Sequence, residues 1–160
     1  MAGGDAVIDH PNRRKASSRA TKALVVVLLL ASAGLVLIVT VGGWTELQGA
    51  KALQVAYVVL YVLMAVLVAR WNRGVLPVAA ALAIVMLIFA AIAGPAWFER
   101  DREGFADPTL DAGLLGLVTL LIVPVQALLI VGAMQGFRQA WHVEVERRPD
   151  GGARPVAQAG

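Results

Sequence analysis

Cysteine is missing from this 160-residue chain. Its absence excludes disulfides, thiolate nucleophiles, sulfur ligation of a metal and quinone–disulfide exchange. Aromatic residues make up 6% of the chain and charged residues 16%, against about 25% charged in an ordinary soluble domain. The charge is also unevenly placed. No Asp, Glu, Lys, Arg or His falls within residues 23–45, 52–69, 74–98 or 112–137. Ionisable groups inside a membrane span mark proton relays, ion paths and coupled transport. Without them, a proton-coupled pump or a small multidrug exporter is disfavoured. A haem-carrying bundle lacks its axial histidine, because His10 and His142 both lie in polar flanks. No cofactor and no metal are expected, and the absence of a base–nucleophile pair leans the reading away from an enzyme.

What remains is apolar: 59% of the residues are hydrophobic. A membrane-spanning helix needs roughly 20 apolar residues, and the four uncharged blocks meet or approach that length. The expected fold is all-α, a four-helix transmembrane bundle packed up-down-up-down. Residues 1–22 read as a disordered basic tail and 23–141 as the membrane domain. Helices are expected at about 23–44, 46–70, 74–97 and 108–138, followed by a flexible tail over 142–160. The first block resembles a signal peptide, with Ala31, Ser32 and Ala33 as a cleavage site. Yet it runs on to Val41, longer than the usual 7–15-residue apolar region, and is read as a retained anchor.

Local signals set the expected boundaries. Thr45, Glu46, Leu47 and Gln48 fit a capping box at the start of the second span. Asp107 and Pro108 fit an N-cap and first-turn pair before the fourth. The four-residue spacer 70–73 predicts that the second and third spans are antiparallel neighbours.

An even number of spans puts both termini on one side. That side would carry eleven Lys and Arg residues and the other only Lys51, Arg100 and Arg102. By the positive-inside rule both termini are cytoplasmic. Arginine outnumbers lysine eleven to three, a bias that suggests a G+C-rich bacterium and hence a multi-pass protein of the bacterial cytoplasmic membrane. Trp44, Trp71, Trp97 and Trp141 each stand at a span exit, as interfacial anchors do.

Within the spans the polar residues are few. Gln126 lies halfway along the fourth span, two residues after Pro124, which removes a backbone hydrogen bond and reads as a hinge. Ser32, Tyr57 and Tyr61 stand at similar depth, and the i, i+4 spacing of the tyrosines puts them on one face. This cluster reads first as interhelical glue and second as a polar pocket for a quinone, lipid or small solute. Ala79, Ala83, Ala90 and Gly94 form one stripe on the third span, and Gly132 and Gly136 a GxxxG on the fourth. Small-residue stripes let helices approach closely, either within the bundle or in self-association and docking on a larger membrane complex.

Two charged segments read as ordinary. The loop Glu99, Asp101, Glu103, Asp107 and Asp111, interrupted by Arg100 and Arg102, lacks the spacing of a calcium loop. The basic cluster Arg13, Arg14, Lys15, Arg19 and Lys22 suits attraction to anionic lipid rather than nucleic acid. The lipid bilayer is the one assured partner in this reading. An accessory or scaffolding subunit is the leading function, and a small-solute or lipid transporter or channel is the rival.

Overall fold

Four long helices make up most of the computed structural model, which describes residues 7–100, 108–147 and 153–155. In chain order the elements are β1 (Val7–Asp9), α1 (Pro11–Arg14), α2 (Ala16–Gly42), α3 (Lys51–Ala69), α4 (Val75–Glu99), α5 (Ala112–Arg138), β2 (Val145–Arg147) and β3 (Ala153–Pro155). Helices α2 to α5 are each long and apolar enough to cross a membrane. The fold is all-α, with one small addition. The three-residue strands pair antiparallel in the order β1-β2-β3, Ile8 opposite Glu146 and Glu146 opposite Arg154.

The boundaries differ from the sequence expectation in four places. Helix α2 begins at Ala16, not near 23, so residues 16–22 are helical. Thr21 has a partner distant in sequence, Gln139 Nε2, which donates to its Oγ1 at 2.9 Å; just upstream, in α1, Asn12 donates to the Ala140 carbonyl and Arg13 to that of Trp141. Helix α3 begins at Lys51, and Thr45 caps nothing; residues 43–50 form turns in which Glu46 and Leu47 N–H groups donate to the Gly43 carbonyl. Gly49 stands where the earlier start would need a helical residue, and glycine disfavours that conformation. Helix α5 begins at Ala112, capped by Asp111, whose Oδ1 accepts from Leu114 N at 2.9 Å. Asp107 lies outside the described residues, and Pro108 is not helical. Finally, residues 145–147 and 153–155 supply two of the strands.

Helix packing is lopsided. The most extensive contact is α4 on α5, followed by α2 on α3 and α2 on α5, whereas α3 and α4 scarcely touch. The expected neighbour pair is therefore the open seam of the bundle. The turn between them is tight: Trp71 has φ 66° and the Gly74 N–H donates to Asn72 Oδ1. A left-handed conformation at a non-glycine costs about 1–2 kcal/mol. Here the same indole stacks edge-on against Trp141 at 5.2 Å and lies under Lys22 Nζ at 4.1 Å.

The buried core runs between the helices through Val25, Leu29, Tyr61, Leu76, Leu115 and Leu129. Outward-facing Val27, Val59, Ile92 and Leu117 stay largely exposed, as suits helices with hydrocarbon on the other side. Ala79, Ala83, Ala90 and Gly94 are all buried. A Cβ placed on Gly94 would meet Leu120 Cδ2 at 2.5 Å, so at this level the Leu120 side chain of α5 rests directly on the glycine. Gly132 faces Val25 on α2, and Gly136 faces Leu76 on α4 and Trp141. Both GxxxG glycines thus meet partners in the same chain.

Candidate functional site

Three helices meet in a hydrogen-bond chain at mid-bundle. Tyr61 Oη, on α3, donates to Gln126 Oε1, on α5, at 2.9 Å. Gln126 Nε2 donates to Ser32 Oγ, on α2, at 3.0 Å, and Ser32 Oγ donates to the Leu28 carbonyl at 2.7 Å. Tyr61, Gln126 and Ser32 are all 0% exposed. Every link runs donor to acceptor, so the chain ends on a backbone carbonyl with its side chains matched. Helix α5 continues through Pro124, two residues before Gln126.

Tyr57 belongs to the same tyrosine face but not to the chain. Its ring meets that of Tyr61 edge-on at 5.6 Å, while its hydroxyl has no hydrogen-bond partner among the described residues. Sequence spacing placed the two tyrosines on one face; only the packing separates them. Tyr57 lines a cavity of about 220 Å³ with Leu53 and Gln54 on α3, Met86 and Phe89 on α4 and Thr119 on α5. Leu53 and Phe89 are each 48% exposed, so the cavity reaches the outer face of the bundle at the open α3–α4 seam.

Two of the cavity's polar residues escaped the sequence reading. Thr40 Oγ1, on α2, lies 2.6 Å from both the Val36 carbonyl and Gln54 Oε1. One end of the Gln54 amide is thereby held against α2, and the other has no partner among the described residues. Thr119 donates to the Leu115 carbonyl one turn back. Gln54 stands only three residues into α3, where a glutamine reads as an ordinary helix-end residue. No sequence signal distinguishes it.

Neither protein-family models, nor curated proteins, nor solved structures give a match to this chain. The site must be read from its own geometry.

A second polar cluster gathers at the other end of the helices. Arg73 Nε donates to the Phe137 carbonyl at 2.7 Å while its guanidinium lies 3.9 Å from the Phe137 ring. Arg73 Nη1 also donates to His142 Nδ1 at 3.0 Å. Lys22 Nζ donates to the Ala69 carbonyl. These contacts satisfy helix-end carbonyls, which otherwise lack intrahelical partners.

The tryptophans divide. Trp44 is exposed with Lys51 Nζ 4.9 Å from its ring, and Trp71 is half-buried under Lys22. Trp97 and Trp141 are buried, Trp97 against Gly43 and Trp141 against Trp71. Those two pack against neighbouring residues at the helix ends, while Trp44 and Trp71 keep exposed surface. Among the described residues no three of His, Asp or Glu converge as metal ligands. The loop carboxylates of Asp101, Glu103 and Asp107 lie outside the described residues.

Proposed function

We propose that this chain is a non-enzymatic, multi-pass protein of the bacterial cytoplasmic membrane that acts as an accessory or scaffolding subunit of a membrane complex. One observation carries the reading. The polar side chains at mid-bundle, Tyr61, Gln126 and Ser32, are hydrogen-bonded to one another and fully buried. A translocation path needs polar groups facing a route for solute, and these three face each other. The bundle core then serves as a rigid body that presents its surface. An up-down-up-down arrangement with both termini cytoplasmic goes with this reading. It is supported by contacts that gather Thr21, Ala69, Arg73 and Phe137 at one end of the bundle and by the eleven-to-three split of basic residues.

Purification of the tagged full chain in a mild detergent tests the reading. A co-purifying membrane protein, or a defined oligomer, is the expected result. Recovery only as a lone monomer contradicts it. Reporter fusions at the two termini test the orientation, and a periplasmic signal at either end overturns it.

The rival reading, a transporter or channel for a small solute or lipid, uses the cluster of Ser32, Tyr57, Tyr61 and Gln126, of which Tyr57 borders the α3–α4 cavity. It predicts that Gln126→Leu abolishes uptake while the protein stays folded.

A further inference from the structure

We infer that the crevice between α3 and α4 is a binding site for the acyl ester of a membrane glycerolipid, with the ester carbonyl accepting a hydrogen bond from Tyr57 Oη. The proposal does not depend on the accessory-subunit reading.

The argument starts from the hydroxyl. Tyr57 is 5% exposed and donates to no described residue. A hydroxyl surrounded by hydrocarbon needs a partner, because no bulk water is there to supply one. Yet among the described residues no fully buried side-chain oxygen or nitrogen lacks a hydrogen bond. The Tyr57 hydroxyl is therefore reachable from somewhere, and the space it borders is the cavity. One end of the Gln54 amide faces the same question in the same place.

The identity of the occupant follows from the opening and the depth. The cavity opens between two helices whose outer faces carry exposed Leu53 and Phe89, so whatever enters comes sideways out of the bilayer. Met86, Phe89 and Leu53 give it an apolar wall, in which Tyr57 and Gln54 are the polar groups not fully satisfied within the protein. That pattern fits a long hydrocarbon with an oxygen acceptor near its head. Tyr57 lies six residues into α3 from Lys51, about 9 Å along the axis. Lys51 sits over the exposed Trp44 ring, a pairing suited to the headgroup level. Helical side chains lean toward the N-terminus of their helix, which directs the Tyr57 phenol back toward Lys51. Its hydroxyl then stands less than about 9 Å below the Lys51 level, within reach of the ester of a glycerolipid whose chain enters the crevice.

The test uses the purified full chain in nanodiscs of ester-linked dioleoyl phosphatidylglycerol or of the ether-linked dioleyl analogue, which has the same hydrocarbon and no carbonyl. After transfer to detergent, lipid retained per protein is counted by native mass spectrometry. Wild type is expected to keep one ester lipid and to keep the ether analogue about fivefold less, the value of one hydrogen bond. Tyr57→Phe should bring ester retention down to the ether level, and Ala90→Leu, which fills the crevice, should lower both. Equal retention of the two lipids by wild type overturns the proposal, as does Tyr57→Phe behaving like wild type or the absence of any retained lipid. Nanodiscs doped with an isoprenoid quinone that yield bound quinone in place of glycerolipid overturn it too. Should Ala90→Leu fail to fold, the ester–ether comparison on wild type and Tyr57→Phe still decides the matter.

Discussion

Tyr61 and Tyr57 are one helical turn apart on the same face of α3, and their surroundings are opposite. Tyr61 reaches across from α3 toward α5 where both pack on α2, and its hydroxyl is the first link of a completed chain through Gln126 to Ser32. Tyr57 borders the seam where α3 and α4 part, and its hydroxyl has no hydrogen-bond partner among the described residues. The difference is not in the residue type or in its helix. It lies in whether a facing helix is present at that level. In a membrane, where apolar side chains gain little by leaving lipid for protein, close backbone approach and hydrogen bonds decide which helices pair. The α4–α5 contact has the close approach at Gly94, the α2–α3–α5 contact has the hydrogen bonds, and α3–α4 has neither.

This contrast can be broken most forcefully on its closed side. Gly94→Val forces a branched side chain into the space held by Leu120, and overpacking of this kind costs about 1–3 kcal/mol. Thermal unfolding in detergent, followed by circular dichroism, should show the largest drop of the series. Removing the centre of the polar chain comes next. Gln126→Leu leaves Tyr61 and Ser32 without their shared partner in a buried site, a loss of about 1–2 kcal/mol read in the same melting experiment. Tyr61→Phe removes a single link and should cost about 1 kcal/mol or less. A double-mutant cycle with Gln126→Leu should show the two to be coupled rather than additive. The smallest effect is expected on the open side. Tyr57→Phe deletes a hydroxyl without a partner among the described residues, so stability should stay within about 0.5 kcal/mol of wild type. A Tyr57→Phe loss as large as that of Tyr61→Phe would erase the distinction between the two regions.

The terminal segments carry a related lesson. Residues 16–22 have the composition of a solvated tail, yet they continue α2 because Gln139, which lies beyond the end of α5, bonds to Thr21. The capping box at Thr45 to Gln48 is a sound local pattern that goes unused, since Gly49 interrupts the helix it would begin. In both cases a local signal was overruled, once by a distant contact and once by a neighbouring residue. Asp111 shows the opposite outcome. It is an ordinary acidic N-cap, and the sequence offered Asp107 as an equally good one.

By itself the sequence determined the class of this protein: an uncharged run of about 20 residues in a bilayer has to be a helix, since only a helix satisfies its own backbone there. Four such runs make an all-α membrane protein. It also brought Ser32, Tyr61 and Gln126 to a common depth, with Tyr57 one turn nearer the Lys51 end, because depth follows from counting residues at 1.5 Å each. Which of the four touch was decided by tertiary structure. Contact depends on the rotation of each helix about its axis and on which helices are neighbours; apolarity all round fixes neither, and the small-residue stripe of α4 turns a face inward without saying which helix meets it. Hence the closed chain at Tyr61 and the open seam at Tyr57 emerge only when α2, α3, α4 and α5 are packed together.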